Sequence, residues 1–234
     1  MNTRAPFRYA VLIAAYNEAD RIQSTVAAAA LVPGVVGVIV VDDGSKDDTA
    51  GEASRAGAMV VSNKSNRGKG TAMELAAFTL LSEQPFGNLD GVILLDGDLE
   101  ESASAAGELL KPLEAGMADL AIGIMPRPSG KAGFGWVQTL ARDGIAKHGG
   151  GFEAKAPLCG QRALTLNCLN CVRPFAHGYA MEVDMTIKAL RQHLRVDELP
   201  VEMRHRATGR DLKGFLHRGK QYFEIRKLLN SIKA

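Results

Sequence analysis

Three short apolar runs, each stopped by polar residues, constrain this chain most. YAVLIAA (9–15) ends in Tyr16-Asn17-Glu18, VVGVIVV (35–41) in Asp42-Asp43-Gly44-Ser45, and GVILL (91–95) in Asp96-Gly97-Asp98. Runs this short and without polar alternation, the second of them β-branched, read as strands buried on both faces. Between them lie helical stretches. Residues 17–31 are alanine-rich and end at Pro33-Gly34. Residues 49–56 stop at Gly57, with Asp47 or Asp48 as the expected cap, and 71–82 follow a loop over 63–70. Residues 58–62 read as a further strand. Strands alternating with helices predict an α/β fold, a mostly parallel sheet flanked by helices. Functional side chains in such sheets gather at the carboxyl ends of the strands. All three polar clusters fall there, so one crevice is expected to hold them.

Beyond residue 100 the pattern loosens. Helices are expected over 103–115, 136–148, 181–193 and 212–232, and strands over 119–124 and 196–203. Residues 125–135 (MPRPSGKAGFG) read as a loop, and Gly149-Gly150-Gly151 as a hinge. The chain has 234 residues, 46% apolar and 23% charged, ordinary for a soluble globular protein. It is read as one domain over 1–234. No leader-like run opens the sequence, and no eighteen-residue apolar stretch predicts a membrane span. Cys159, Cys168 and Cys171 include one CxxC spacing but no second pair to complete a zinc site. Free thiols in a reducing cytoplasm are the expectation. Net charge is +2. Residues 203–234 hold nine Lys or Arg against Asp211 and Glu224, net +7, which leaves −5 for the rest. A basic tail on an acidic body suits an anionic ligand or a membrane surface, or is simply a solvated helix face.

The clusters differ in chemistry. Asp96 and Asp98, with Glu100 nearby, offer hard oxygen donors suited to Mg²⁺ or Mn²⁺. The plainer reading is an acidic turn that favours the next helix start. Gly97 permits tight backbone there. Asp43 can accept from a base N–H or a ribose hydroxyl, or cap a turn. Asn66-Arg67-Gly68-Lys69-Gly70 sets two cations before a helix start, an anion-friendly arrangement. It is not a Walker A loop, because residue 63 is asparagine, and no GxGxxG follows the first strand. His205, with Arg206 and Arg210, is a candidate metal or diphosphate contact. Glu182 and Asp184, two apart near a helix start, face differently, so at most one enters a given site.

As an ordered set, YNE (16–18), VVDDGSKDDT (40–49), NRGKG (66–70), LDGDLEE (95–101), GQRAL (160–164) and HRATGR (205–210) resemble glycosyltransferase family 2. Within it, the chain is most similar to soluble dolichyl-phosphate-mannose-synthase-like and glucosyl-3-phosphoglycerate-synthase-like enzymes. The resemblance implies the GT-A fold, Rossmann-like, with a nucleotide-binding half (1–102) and a smaller acceptor-binding half (103–234). It implies that Tyr16, Asn17, Glu18 and Asp43 hold the nucleotide, with Lys69 on the same side of the cleft. It implies that Asp96, with Gly97, and Asp98 present a divalent ion to the diphosphate, with Glu100 and His205 as further ligands and Arg206 and Arg210 near phosphates. Gln161 and Arg162 fall on the acceptor side, and Glu182 matches the base of inverting members. Ala14 departs from the pattern, where the family usually has proline.

The expected activity is therefore hexose transfer from a UDP-glucose or GDP-mannose type donor to an acceptor, phosphate-bearing or lipid-linked, in envelope or glycolipid synthesis. Loop 125–135 would be a lid or acceptor loop. Expected partners are that donor and acceptor, a second copy of the chain, and the inner membrane face through the basic helix, but no nucleic acid. Two alternatives account for less. A sugar-phosphate nucleotidyltransferase needs a glycine-rich loop where the chain has AAYNEADR. A non-catalytic nucleotide-binding or phospho-receiver-like module leaves Glu182 and His205 unexplained.

Overall fold

The computed structural model describes residues 6–126, 135–204 and 212–232, with side chains of the last segment from Gly219 onward. Seven strands form one sheet: β1 (Tyr9–Ala15), β2 (Val35–Asp42), β3 (Met59–Ser62), β4 (Gly91–Asp96), β5 (Leu120–Ile124), β6 (Arg162–Thr165) and β7 (Val196–Pro200). Their order is β3-β2-β1-β4-β6-β5-β7. Only β6 runs against the others, antiparallel to both β4 and β5. The helices are α1 (Ile22–Ala30), α2 (Thr49–Arg55), α3 (Lys69–Glu83), α4 (Gly107–Glu114), α5 (Trp136–His148), α6 (Leu166–Val172), α7 (Met181–Arg191) and α8 (Leu212–Ser231). The sheet is thus mostly parallel with flanking helices, as expected.

Strand periodicity explains why β1 is apolar throughout. Tyr9, Val11 and Ile13 pack on one face with Ile22, Val26 and Leu109. Ala10 and Leu12 pack on the other with Met73, Ala76 and Leu80. Successive side chains alternate faces, and both faces carry helices, so neither set tolerates polarity. A third cluster joins α5, α7 and α8 through Ile145, Val183, Ile187 and Ile225. No described helix is long and apolar enough to cross a membrane.

Several boundaries move from expectation for physical reasons. The first helix starts at Ile22 rather than 17, because Asn17 adopts a left-handed φ of 57° and the backbone of 17–19 bonds elsewhere. Helix α3 starts at Lys69, not 71, which puts Lys69 in its first turn. Residues 100–106 are a 3-10 helix ahead of α4. Strand β7 ends at Pro200 rather than 203. Strand β6 and helix α6 have no counterpart in the sequence reading. The expected cap of α2 is indirect: Asp48 makes no side-chain cap, while Asp47 accepts from the Thr49 N–H at 3.2 Å. The three cysteines are free thiols. Most of loop 125–135, residues 127–134, lies outside the described residues.

Candidate active site

The loops after β1 and β2 are stitched together. Asn17 donates its N–H to Ser45 Oγ at 2.9 Å, and its Oδ1 accepts from the Lys46 N–H at 2.8 Å. Glu18 N–H reaches Thr49 Oγ1 at 2.8 Å. Tyr16 remains 39% exposed beside them. Asp42 Oδ1 accepts from the Ser45 N–H at 3.1 Å. Asp43 is buried and accepts from Asn63 Nδ2 (2.8 Å) and from the backbone of Arg67 (3.0 Å) and Gly68 (2.7 Å). Its carboxylate thus shapes the NRGKG loop, and in this conformation most of its capacity is turned on that loop.

At the end of β4, Lys69 gathers the chemistry. Its Nζ lies 2.5 Å from Asp96 Oδ1 and 2.9 Å from Glu182 Oε1. Gln161 Nε2 donates to Asp96 Oδ2 at 2.6 Å, while Gln161 Oε1 accepts from the Asp96 N–H at 3.1 Å. Gly160 packs against them, so that a Cβ there would displace the Lys69 ammonium. Burial lowers the Lys69 pKa, but the Asp96 and Glu182 carboxylates outweigh it and push it up overall. Glu182, 7% exposed in its side chain, enters the site, while Asp184 pairs with Lys188 at 2.7 Å on its own helix. One of the two acids faces the cleft, as their spacing implies.

Acidic groups crowd the other side of β4. Glu18 lies over Gly97, whose added Cβ would meet Glu18 Cγ at 3.4 Å. Glu18 is pushed up to about 7, first by burial, with Arg21 opposing and Asp98, Asp20 and Asp47 adding. Its Oε2 is buried and makes no hydrogen bond, although Arg21 Nη1 stands 3.0 Å away as an ion pair. Burial is the main cause, and the nearby Asp98 adds repulsion to it; hard carboxylate oxygens gathered in this way are the donor chemistry that suits Mg²⁺ or Mn²⁺. Among the described residues no three His, Cys, Asp or Glu side chains form a ready cage. Glu100 has a left-handed φ of 52° and gives its N–H to Thr25 Oγ1 at 2.8 Å, while Thr25 Oγ1 donates to the Gly97 carbonyl at 2.9 Å. Glu101 accepts from Ser24 Oγ at 2.8 Å. His205, Arg206 and Arg210 lie outside the described residues.

Arg162, expected on the acceptor side, presents no exposed surface. It is fully buried behind the site wall. Its Nε donates to the Cys159 carbonyl at 2.9 Å and its Nη1 to Thr186 Oγ1 at 3.0 Å; Thr186 Oγ1 in turn donates to the Glu182 carbonyl at 2.9 Å. Thus Arg162 braces the two walls around Lys69. The strand run into DGD flagged Asp96 directly. The bond from Gln161 to Asp96, 65 residues apart, leaves no spacing signal.

Comparison with known proteins identifies the family and the fold. The family model described as Glycosyl transferase family 2 matches residues 10–176. Glycosyltransferase AglJ of Haloferax volcanii is 28% identical over 214 residues, 88% of this chain and 66% of that relative. The chain therefore spans just under two thirds of that relative's length. A structure of glucosyl-3-phosphoglycerate synthase from Mycobacterium tuberculosis, in complex with Mn²⁺, UDP-glucose and phosphoglyceric acid, superposes with a TM-score of 0.75 at 25% identity, covering 97% of this chain and 82% of that one. The same enzyme with Mn²⁺, UDP and phosphoglyceric acid gives 0.75 at 26% identity, with 97% and 80% covered.

Proposed function

The chain belongs to glycosyl transferase family 2, and from that premise we propose that it moves a hexose from a UDP-glucose or GDP-mannose type donor to a phosphate-bearing acceptor, free or lipid-linked, with inversion. The observation that carries this reading is the ammonium of Lys69 bridging Asp96 and Glu182. It joins a strand-end carboxylate suited to the donor side with an acid from the second half suited to the acceptor side. Residues 1–102 then serve as the nucleotide half and 103–234 as the acceptor half. The solved relatives bound to UDP-glucose and phosphoglyceric acid support the donor and acceptor classes.

In this mechanism Tyr16, Asn17 and Glu18 line the nucleotide side, and Asp43 fixes the loop that presents Arg67 and Lys69. Asp98 and Asp96, with His205, would hold the divalent ion; Glu100 stands next to them. When bound, that ion offsets negative charge on the leaving nucleoside diphosphate. Lys69, Arg206 and Arg210 add fixed positive charge on the same side. Glu182 accepts the proton of a hydroxyl acceptor, on the face away from the leaving group. For an acceptor that is already an ionised phosphate, Glu182 orients it instead. Gln161 keeps Asp96 in one rotamer.

The test is nucleoside diphosphate release from a panel of UDP- and GDP-hexoses, with Mn²⁺ or EDTA, with and without 3-phosphoglycerate. Release dependent on Mn²⁺ is expected. Glu182→Gln should lower kcat by about 10²-fold or more with donor KM within about twofold, the split a base makes. A panel in which no donor is cleaved overturns the transferase reading, and unchanged turnover in Glu182→Gln removes that residue from the base role.

A further inference from the structure

Glu182 lies beyond the stretch that matches the family model, and so does helix α8. The structure nonetheless ties the two together through a short strap, residues 173–180. On one side the strap is clasped by α3, the helix that Lys69 opens. Glu74 pairs with Arg173 at 2.7 Å and accepts from the Phe175 N–H at 3.0 Å, and Thr71 Oγ1 lies 3.0 Å from His177 Nδ1. On the other side it is clasped by α8. Glu224 Oε2 accepts from the Tyr179 N–H at 2.8 Å. A Cβ on Gly178, which has φ +65°, would overlap that carboxylate, so the turn is built around it. Lys220 stands 3.8 Å from Glu224 and 5.8 Å from the centre of the Tyr179 ring. The adjacent Ile225 is fully buried, which anchors this point of α8 in the third core cluster.

The clasped turn leads straight to the acid of the site. Residues Gly178–Ala180 form a 3-10 turn that runs directly into α7, whose second residue is Glu182. The first N–H groups of a helical segment have no partner within it, and a carboxylate there also favours the helix dipole. Glu224 supplies that partner from another helix. The facing wall packs just as closely: a Cβ at Gly70 would overlap the Ala176 carbonyl, and one at Gly68 would sit 3.6 Å from Gly178 Cα. Gly68 and Gly70 flank Lys69. A slip of this turn therefore moves Glu182 and its ammonium partner relative to each other.

We infer that Glu224 is a positioning residue for Glu182, holding the Gly178–Ala180 turn at the register in which Glu182 meets Lys69. The inference rests on the transferase reading only for its kinetic consequence. Its structural half is tested without substrate, by hydrogen exchange at the Tyr179 amide in the full chain. Glu224→Ala should speed that exchange about tenfold, and Glu224→Gln, which keeps an acceptor oxygen, should fall between Ala and wild type. The exposed Asn230→Ala on the same helix should leave it unchanged. In turnover assays with UDP-glucose or GDP-mannose and Mn²⁺, Glu224→Ala should lower kcat about tenfold with donor KM within about twofold, and Glu224→Gln should recover most of it. Unchanged exchange in Glu224→Ala, faster exchange with unchanged kcat, or a Gln variant as impaired as Ala would each overturn the inference. A wild-type chain that cleaves no donor sinks the transferase reading instead, and leaves the exchange result to decide where Glu224 acts.

Discussion

The two halves of the sheet deliver chemistry to the cleft in opposite ways. In the first half, β1, β2 and β4 are parallel, and each hands over the residues at its trailing end: Asn17 and Glu18, Asp43, Asp96 and Asp98. In the second half, β6 runs the other way, with Leu94 opposite Arg162. An antiparallel strand brings its leading residue to the edge where its neighbours bring their trailing ones. Gln161, one residue ahead of β6, therefore meets Asp96. Glu182 arrives later still, on a helix held by a strap. The first half brings its side chains together by strand direction and then ties neighbouring loops to one another; the second relies on clasps that reach 45 to 101 residues along the chain.

Lys69 joins the two, so removing it breaks the comparison most severely. Lys69→Met leaves Asp96 and the mostly buried Glu182 without their shared cation. Stability in EDTA should fall by about 3 kcal/mol, read from urea midpoints at constant m. Adding Glu182→Gln should restore part of the loss, because the uncompensated charge is gone. A Lys69→Met protein as stable as wild type would mean that the halves hold their positions independently.

Two carboxylates that each organise a loop sharpen the contrast. Asp43 accepts two backbone N–H groups and one side-chain amide in the first half. Glu198 accepts the N–H groups of Lys155 and Ala156 in the second, at 2.6 and 2.8 Å. Asp43 is buried, whereas Glu198 is half-exposed. Asp43→Ala should cost about 2–3 kcal/mol and Glu198→Ala about 1 kcal/mol, compared by the same denaturation. The reverse order would show that burial does not set the strength of these clasps.

The same contrast governs what could be read in the sequence. Strand β1 was legible to the residue, because burial on both faces demands an unbroken apolar run that stops where the cleft begins. Asp96, Lys69 and Glu182 were each legible as candidates, but not their meeting on one ammonium. The helical stretch expected from residue 17 begins later, at Ile22, because Asn17 takes a left-handed φ of 57°, which no pattern of apolar residues announces. Strand β6 went unseen because RALT is four residues long and its buried Arg162 spoils the apolar pattern. Arg162 is expected on the acceptor side, and nothing in GQRAL reveals that it is buried with its Nε and Nη1 turned to Cys159 and Thr186. Glu224 resembles any acid on a solvated helix until the fold brings Tyr179 to it.

The smallest effect lies at the far end of the second half. Asp119 precedes β5, at the end of that strand opposite the cleft, and its carboxylate receives Arg195 Nε and Nη2 and the Arg195 N–H, all at 2.9 Å. The hydrogen bonds from the Arg195 guanidinium hold the Asp119 pKa below its ordinary 3.8. The folded state thus binds this proton less readily than the unfolded chain does. Its stabilisation is fully present above about pH 4 and is lost as pH falls through the depressed folded value. Arg195 is half-exposed, so solvent screening keeps the contribution below about 1 kcal/mol. Asp119→Asn should lower Tm by about 2 °C at pH 7, and the gap to wild type should close as pH drops below 4. Donor turnover should not change, because this pair ties β5 to the start of β7 and touches nothing at the carboxyl edge. A loss of turnover equal to that of the Glu224 variants would mean that the second half transmits strain along the whole of β5, and that its clasps cannot be divided into those that shape the cleft and those that only hold the sheet.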